Sequence, residues 1–317
     1  MARFLVHRAL SLFATLVTIS VAIFVMVRLL PGNIIDVLFF GDTTATPEQK
    51  EAARAQLGMT GSWFHQYREW AGGILLHGDF GNSYRSQQPI STILWHGMHI
   101  TGELILLGIL IALVIALPLG AISAVRRDTI PDYTARVTGL LGISIPNFWL
   151  ATLLLIFTSR VFHWVPPLTY VSPFDDPLKN LSQFILPAIS ISVFTLAIVS
   201  RMVRATMLEV LGRDYVRAAR AKGLSRRRVI YHHAFRNALI PIVTIVGFQA
   251  AVLIGGTAIV ETVFGLPGVG YTLLQAIKQR DYPLIEDATL LIATVVILMN
   301  LIVDLLYGII DRRISLE

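Results

Sequence analysis

Six long apolar runs, none of them containing a charged residue, constrain this chain more than any other feature of its sequence. The runs are residues 9–27, 104–125, 137–159, 181–200, 237–260 and 288–303, and the last continues past Asp304 to Ile310. A helix crosses a hydrocarbon core of about 30 Å with about 20 residues, whereas a β-strand seldom exceeds about 10 residues. The runs therefore predict an all-α integral membrane protein with six transmembrane helices.

The composition agrees with a protein whose main solvent is lipid. Only 15% of the 317 residues are charged and 55% are hydrophobic, whereas a soluble domain has roughly 25% charged residues. The chain contains no cysteine, and this excludes disulfides, thiolate metal sites and cysteine nucleophiles.

The first apolar run could instead belong to a cleaved signal peptide, because Arg3 and Arg8 precede it. The apolar part of a signal peptide usually has about 7–15 residues and ends at a small-x-small cleavage site. This run is longer, and Arg28 and then Leu29-Leu30-Pro31-Gly32 follow it. We therefore expect an uncleaved first helix.

The positions of Lys and Arg predict the orientation in the membrane. If the N-terminus is inside, the cytoplasmic segments are residues 1–8, 126–136, 201–236 and the C-terminus, and they hold 17 of the 26 Lys and Arg residues. Because an excess of Lys and Arg marks the cytoplasmic side, we expect both termini in the cytoplasm. Topology also accounts for the net charge of +6, so we expect membrane lipid around the chain and no nucleic-acid partner.

Helix-breaking residues lie inside several of the runs. Pro118, Pro146, Pro187 and Pro241 each fall within one, and Gly255-Gly256 interrupts the fifth. Proline removes a backbone hydrogen bond and kinks a helix, which membrane bundles tolerate where neighbours satisfy the freed carbonyl. The sequence therefore predicts kinked helices, as in a bundle that lines a path or moves.

The loop between the first two runs, residues 31–99, is too long to be a simple connection. Thr46-Pro47-Glu48-Gln49 supplies an N-cap, a proline at the first helical position and a capping-box glutamine. With Gly58 as a stop, we predict a short helix over Pro47–Leu57.

An aromatic segment follows in the same loop. Trp63, Phe64, Tyr67, Trp70 and Ile74 recur at helical spacing. We interpret them as an interfacial helix whose aromatic rings lie at headgroup level, and a ligand-binding aromatic box is the alternative. The second outer loop is expected to be irregular because it contains Pro166, Pro167, Pro173 and Pro177.

Carboxylates are scarce within the runs. Asp304 is the exception, and an acid at mid-membrane costs at least about 2.5–3.5 kcal/mol and is a functional candidate. Since Asp311-Arg312-Arg313 follows within about two turns, pairing with a neighbouring helix or contact with the interface is the other interpretation. Glu103 is placed in the first turn of the second span, where it would complement the helix dipole. So few acids argue against an ion-coupled secondary carrier, which is one alternative function.

Signatures of catalysis are missing from the sequence. It has no GxxxxGK[ST] phosphate loop, no HExxH metal helix and no GxSxG elbow. The glycines of 265–270 follow a span and predict a turn, and the adjacent His232 and His233 would point about 100° apart on a helix, which makes a poor metal pair. We therefore expect no catalytic, cofactor-binding or metal site here, and a membrane-embedded enzyme is the second alternative.

The 201–236 loop is the most informative segment. Residues 214–223 predict a short helix of small residues closed by Gly223, and a second helical run over 225–237 carries Arg226, Arg227, Arg228 and Arg236. Small side chains let another protein approach the backbone closely, and arginines donate to acidic groups. A basic loop that rests on anionic lipid fits the same residues, so composition alone leaves both interpretations open.

The same loop resembles the EAA loop of ABC importer permeases, EAA-x3-G-x9-I-x-LP. Ala218, Ala219 and Gly223 match, with Arg217 at the glutamate. His233, Phe235 and Arg236 stand at the isoleucine, leucine and proline. These departures together resemble the dipeptide/oligopeptide/nickel branch, whose loop reads DY-x-R-x-ARAKGL…H-x-x-RNA-x-IP. The matching residues are Asp214-Tyr215, Arg217, Ala219-Arg220-Ala221-Lys222-Gly223-Leu224, His233, Arg236-Asn237-Ala238 and Ile240-Pro241.

The resemblance to this branch covers nearly the whole chain. Other similar segments are Arg8, Leu29-Leu30-Pro31-Gly32, Gln56-Leu57-Gly58, Gly78-Asp79-Phe80-Gly81, Ser144-Ile145-Pro146, Leu186-Pro187-Ala188, residues 261–270 and Arg280-Asp281-Tyr282-Pro283. The order and spacing of these segments, rather than any one of them, carry the resemblance.

The resemblance implies a type I ABC importer permease fold in a bacterial plasma (inner) membrane, with a long extracytoplasmic loop between helices 1 and 2. Residues 1–98 would form the first helix and that loop, and residues 99–317 a five-helix permease domain whose EAA loop is about 207–236. The coupling helix would dock on a separate cytoplasmic ATPase that drives alternating access. The implied ATPase-coupling residues are Asp214, Tyr215, Val216, Arg217, Ala218, Ala219, Arg220, Ala221, Lys222, Gly223, Leu224 and Ser225.

The resemblance also implies the partners and the cargo. A second, homologous permease would complete a heterodimer, two cytoplasmic ABC ATPase subunits would bind ATP and Mg, and an extracytoplasmic binding protein would deliver the solute. This chain would then be a non-catalytic transport subunit without a cofactor of its own. Di- and oligopeptides are the expected cargo, and nickel, glutathione or an opine are the alternatives, because the binding protein selects the solute in that family.

Overall fold

The structure is a computed structural model that describes residues 2–29, 46–56, 61–225, 228–230 and 235–310. Within these residues it contains no β-strand. The helices, numbered along the chain, are α1 (Ala2–Leu29), α2 (Pro47–Gln56), α3 (Trp63–Gly72), α4 (Ile90–Val125), α5 (Ile130–Ser144), α6 (Asn147–Phe162), α7 (Pro177–Leu211), α8 (Asp214–Ala221), α9 (Arg236–Gly256), α10 (Ala258–Phe264), α11 (Val269–Gln279) and α12 (Tyr282–Ile310).

Within the described ranges, four single helices and two bent pairs are long and apolar enough to cross a membrane. The single helices are α1, α4, α7 and α12, and the bent pairs are α5 with α6 and α9 with α10. Each contains one of the six apolar runs, so the predicted number of spans is confirmed when each bent pair counts as one span.

The two breaks fall at residues that the sequence marks as helix breakers. The chain bends by 100° between α5 and α6, where Pro146 precedes the first residue of α6. It bends by 57° between α9 and α10, directly after Gly255-Gly256. Pro118, Pro187 and Pro241 lie inside α4, α7 and α9.

The helices extend beyond the apolar runs, and this corrects two predictions. Because α4 already begins at Ile90, Glu103 lies more than three turns into the helix and cannot complement its dipole. Its carboxylate instead accepts a 3.3 Å hydrogen bond from the Tyr170 hydroxyl. Burial, together with this carboxylate, raises the pKa of Tyr170 above its ordinary value.

The second correction concerns buried acids, because Asp304 is not the only carboxylate in the spanning helices. The extended helices also carry buried carboxylates at Asp132, Glu261, Glu286 and Asp287. These residues flank the charge-free runs, so the runs alone do not reveal that they belong to the spanning helices. Asp304 itself is half-buried in α12.

Backbone contacts divide the chain into two compact units. The first comprises residues 1–99 and 268–295, and the second comprises residues 100–267 and 296–317. The predicted domain boundary at residues 98 and 99 stays a prediction. The core of the first unit joins residues of α1, α4, α11 and α12, namely Ile23, Val27, Ile90, Leu94, Ala276, Tyr282, Leu284, Ile285 and Ala288.

In the second unit α7 is the central helix, in contact with α5, α6, α9 and α10. It also lies against α4, where two glycines allow close approach. A Cβ at Gly108 would lie 2.6 Å from the Ile191 side chain, and one at Gly120 would lie 2.5 Å from the Ser200 carbonyl oxygen. Gly120 therefore requires glycine, because the atom it faces is backbone, whereas a larger residue at Gly108 would have to displace the end of the Ile191 side chain.

The long outer loop has both of its predicted helical segments. In the capping box of α2 the Gln49 N–H donates to Thr46 Oγ1 at 3.2 Å, and the Thr46 N–H donates to Gln49 Oε1 at 2.9 Å. The predicted stop at Gly58 lies outside the described residues. The aromatic segment forms α3 and then a π-helical turn over Gly73–His77.

The aromatic side chains of α3 differ in their surroundings. Trp63 and Phe64 are exposed, as an interfacial helix requires. Tyr67 and Trp70, on the other face of α3, pack on Phe24 of α1, with ring centroids 5.3 and 6.0 Å apart. The position of these rings at headgroup level stays a prediction.

The second outer loop, residues 163–176, is irregular as predicted. Gln183 of α7 holds it, because its side-chain N–H donates to the Pro167 carbonyl at 3.0 Å and its Oε1 accepts from the Val171 N–H at 3.0 Å. Asn180 adds a 3.0 Å hydrogen bond to the Val171 carbonyl. The turn predicted over the glycines of 265–270 is confirmed at its start, with Gly265 at φ +65°, but Val269 and Gly270 already belong to α11.

Candidate functional site

The predicted coupling segment, Asp214–Ser225, folds as α8 followed by a turn. The last helical turn closes through a 3.1 Å hydrogen bond from the Lys222 N–H to the Ala218 carbonyl. Gly223 then has φ +77°, and a Cβ added there would meet nothing within 4 Å. Backbone conformation, not lack of space, therefore favours glycine here, and the predicted short helix closed by Gly223 is confirmed.

One side of α8 is anchored in the second unit by Val216. This side chain is fully buried in an apolar cluster that also contains Val203, Met207 and Val210 of α7. Leu224, just beyond the turn, is partly buried against the same cluster. The segment is therefore held at Val216 and again at Leu224.

The other side of α8 is exposed. Asp214 and Arg217 form an ion pair whose side chains are 91% and 71% exposed, and Tyr215 is 41% exposed. Ala218, Ala221, Lys222, Gly223 and Ser225 are exposed as well. The side chains of Ala219 and Arg220 lie outside the described part of the chain. The exposed side is thus made of small residues and short ion pairs, which another protein could approach closely.

Only two residues connect α7 to α8. The Gly212 N–H donates to the carbonyls of Leu208 and Glu209, and the Val216 N–H donates to the Arg213 carbonyl at 3.1 Å. The connection between the spanning helix α7 and α8 is therefore short and hydrogen-bonded. The second predicted run, over 225–237, falls in part on residues 226–227 and 231–234, which the structure does not describe.

A buried ion pair between α5 and α7 lies in the same unit. Asp132, in the first turn of α5, is fully buried, and Arg204 of α7 donates to it from Nε at 2.7 Å and from Nη2 at 2.8 Å. The Ser123 hydroxyl and the Asp128 N–H donate to the same carboxylate. The Asp132 carboxylate thus accepts four hydrogen bonds, two of them from a guanidinium, and these offset the cost of burying its charge.

Sequence reasoning missed this pair. The signal that could have found it is an acid in the 126–136 loop and an arginine at the end of the fourth run, both assigned to the same side of the membrane. Groups at one membrane depth with opposite charges are candidates for pairing.

The first unit contains a second polar cluster, around the start of α12. Arg28 of α1 pairs with Glu286 and donates a 3.1 Å hydrogen bond to Gln66 of α3. Trp70 donates from Nε1 to Asp287 Oδ1 at 2.8 Å. Asp287 Oδ2 is buried and has no hydrogen-bond partner among the described residues. The last spanning helix is thus joined to the first helix and to the long loop.

Asp281 adds three hydrogen bonds to this cluster. Its carboxylate accepts from the Ser83 hydroxyl at 2.5 Å and from the N–H groups of Tyr84 and Arg85 at 3.1 and 3.3 Å. Burial raises the pKa of the Tyr84 hydroxyl above its ordinary value, and the nearby Glu286 carboxylate acts in the same direction. Segment 280–283, quoted above for its family resemblance, therefore contacts residues 83–85, which lie just after the quoted segment 78–81.

Another buried carboxylate, Glu261, opens the glycine-rich segment 261–270. Its Oε1 accepts from the Thr101 hydroxyl at 2.7 Å and from the Thr257 hydroxyl at 2.8 Å. The hydroxyls join α4 to α10 within the second unit. Across the described residues, no group of three or more His, Asp or Glu side chains is arranged to hold a metal ion.

Two family descriptions match the sequence. Residues 116–316 match the family described as binding-protein-dependent transport system inner membrane component. Residues 1–104 match its N-terminal counterpart, binding-protein-dependent transport system membrane component, N-terminal.

Three relatives are similar over essentially the whole chain. The dipeptide transport system permease protein DppB of Escherichia coli strain K12 is 36% identical over an alignment of 337 positions, which covers 99% of each chain. A putative peptide transport system permease protein of Brucella suis biovar 1 is 36% identical over 317 positions and all of both chains. A putative peptide permease protein of Brucella ovis is 39% identical over 319 positions and 99% of each.

Two solved structures share the fold. An inward-facing MetNI methionine ABC transporter matches with a TM-score of 0.56 and 20% identity, over 71% of this chain and 99% of the other. An amino acid ABC transporter with bound histidines matches with a TM-score of 0.51 and 18% identity, over 71% of this chain and 95% of the other. At these identities the likeness concerns the fold alone.

Proposed function

The chain belongs to the binding-protein-dependent transport system inner membrane components, the permease subunits of ABC importers, and on that premise we propose that it imports di- and oligopeptides. It is a multi-pass protein of the bacterial inner membrane with the type I importer permease fold. Support for a peptide cargo comes from the full-length relatives, which are named as dipeptide or peptide permeases.

The single observation that supports a coupling role is the two-sided character of α8. Val216 is buried in the cluster formed by α7, while Asp214, Tyr215, Arg217 and Ala218 are exposed. Residues 214–225 would dock on a cytoplasmic ATPase through the exposed side. The buried side would pass the ATPase movement to α7.

Contact between α8 and the ATPase would have to transmit enough free energy to change the conformation of the permease. ATP can shift the permease between inward- and outward-facing states only through different affinities for the two. A shift from 1:99 to 99:1 needs roughly 5.5 kcal/mol of such a difference. The connection of α7 to α8 through Gly212 and Arg213 is short enough to transmit it without a flexible linker.

The remaining parts of the transporter would be separate chains. A second, homologous permease would form the other half of the path, two ATPase subunits would bind ATP and Mg, and an extracytoplasmic binding protein would present the peptide. Both termini and α8 would then face the cytoplasm, as the 17 of 26 Lys and Arg residues on that side favour. This chain would take no catalytic step and hold no cofactor.

The test is uptake into liposomes that contain the chain together with the subunits that co-purify with it from its native host. We expect labelled dipeptide to accumulate only with internal ATP and added binding protein. Accumulation of nickel, glutathione or an opine in place of peptide would overturn the cargo and leave the importer intact. Uptake by this chain alone, driven by an ion gradient without ATP, would overturn the importer mechanism.

A further inference from the structure

A large cavity in the second unit lies apart from the exposed side of α8. It has a volume of about 750 Å³ and opens between the end of α4, most of the length of α5 and the second half of α7. Four arginines line it, namely Arg127, Arg136, Arg201 and Arg204. We call this cavity the basic pocket.

Two of the four arginines have no carboxylate partner within the described residues. Arg204 is paired with buried Asp132, and Arg127 pairs with exposed Asp128 at 3.1 Å. Arg136 lies over the Tyr133 ring, 5.6 Å from its centroid, and Arg201 is exposed. After both ion pairs are counted, the pocket therefore keeps two positive charges.

Apolar side chains line the basic pocket beside the arginines. They are Val137, Leu140 and Ile143 of α5 and Ala197 and Leu208 of α7. Gly139 leaves space in the lining, because a Cβ added there would meet only the Ala197 carbonyl oxygen, at 4.0 Å. The lining thus offers guanidinium groups to an anion and apolar side chains to hydrocarbon.

We propose that the basic pocket binds an anionic membrane phospholipid, with its phosphate at Arg136 and Arg201 and an acyl chain along Val137, Leu140 and Ile143. A guanidinium donates in a planar fork that matches phosphate oxygens, and basic pockets between spanning helices bind anionic headgroups. A free phosphate would contact the arginines only and would leave the apolar side chains uncovered.

The position of the site gives the lipid a structural effect. It lies between α5 and α7, next to the Arg204–Asp132 pair, and α7 leads to α8 through two residues. Bound lipid therefore holds α5 to α7, the helix that would receive the coupling movement from α8. The proposal depends on the membrane location of the chain and not on its cargo.

The test is native mass spectrometry of the delipidated full-length protein, titrated with dioleoyl phosphatidylglycerol or dioleoyl phosphatidylcholine. We expect clear preference for phosphatidylglycerol. Removing two basic contacts in the double variant Arg136→Gln/Arg201→Gln weakens its binding roughly thirtyfold. Arg160→Gln, on exposed Arg160 of α6 outside the pocket, is the matched control and leaves binding unchanged.

A steric variant separates lipid from a free anion. Gly139→Leu fills the apolar part and abolishes the preference, while Gly102→Leu, at an exposed position of α4 with nothing within 4 Å, does not. Equal binding of the two lipids, or wild-type binding by the double arginine variant, overturns the proposal. So does displacement of phosphatidylglycerol by inorganic phosphate together with wild-type binding by Gly139→Leu, because the ligand is then a free anion.

Discussion

Arg204 and Asp132 form a two-pronged ion pair, with N–O distances of 2.7 and 2.8 Å, that joins the spanning helix α7 to the first turn of α5. The carboxylate is fully buried and the guanidinium is 22% exposed. The pair therefore joins α5 to α7 about two turns before the C-terminal end of α7, which leads to α8.

Removing Arg204 leaves the Asp132 carboxylate buried without a counter-charge. We expect Arg204→Ala to lower the free energy of unfolding by about 3 kcal/mol, near the low end for broken buried pairs because Arg204 is itself partly exposed. Thermal unfolding in detergent measures this. Arg213→Ala removes an exposed pair with Glu209 and is expected to change nothing measurable. Equal losses in the two variants would show that burial of Asp132 does not matter.

Gly223 is expected to control coupling through its backbone. Proline fixes φ near −65° and cannot adopt the +77° found there, so Gly223→Pro should redirect the chain after α8. The protein should remain inserted while peptide import separates from ATP hydrolysis, measured as peptides imported per ATP. Gly81→Pro is the control, because Gly81 has a similar φ of +67° in the other unit. Transport by Gly223→Pro at the wild-type rate would contradict the proposed role of residues 214–225 in coupling.

The two sides of α8 should respond differently to truncation. Val216→Ala removes part of a fully buried side chain and should cost about 1–2 kcal/mol of local stability, seen as faster amide exchange over 214–221. Tyr215→Ala, on the exposed side, should leave exchange unchanged and weaken binding of the ATPase. If Tyr215→Ala binds the ATPase normally, docking through this side of α8 is wrong.

Gly120 and Gly102 of α4 test close packing on one helix. Because a Cβ at Gly120 would lie 2.5 Å from the Ser200 carbonyl oxygen, Gly120→Ala must push α4 away from α7, at about 1–3 kcal/mol or more. Gly102 has nothing within 4 Å, so Gly102→Ala should stabilise α4 by about 1 kcal/mol. Melting temperatures of the two purified variants should therefore shift in opposite directions, and a shift of the same sign would contradict the packing.

Local rules predicted much of the fold. The apolar runs identified the spans, Thr46 and Gln49 identified the start of α2, and Gly223 identified the end of α8. Pro146 marked a helix break, although not a bend of 100°. In each case the residues that determine the feature lie within a few positions of it, so a single sequence is enough to predict it.

What the sequence did not predict depends on residues far apart in the chain. Asp132 and Arg204 are separated by 72 positions, and Thr101 and Glu261 by 160. An acidic residue at the end of an apolar run is interpreted as the end of a spanning helix when its hydrogen-bond partner is unknown. When that partner satisfies the carboxylate, the helix can continue past the acidic residue. In this way α4 and α12 begin well before their apolar runs.

The carboxylate that pairs with Arg28 is made late in synthesis of the chain. Glu286 follows Arg28 by 258 residues, so at about 5–20 residues per second the ribosome reaches it roughly 13–50 s later. Throughout that interval Arg28 can donate to Gln66 and to the Phe24 carbonyl, but it lacks the Glu286 carboxylate, and Trp70 lacks the Asp287 carboxylate. A chain that stops before α12 therefore differs from a finished one at its first helix, far from the break.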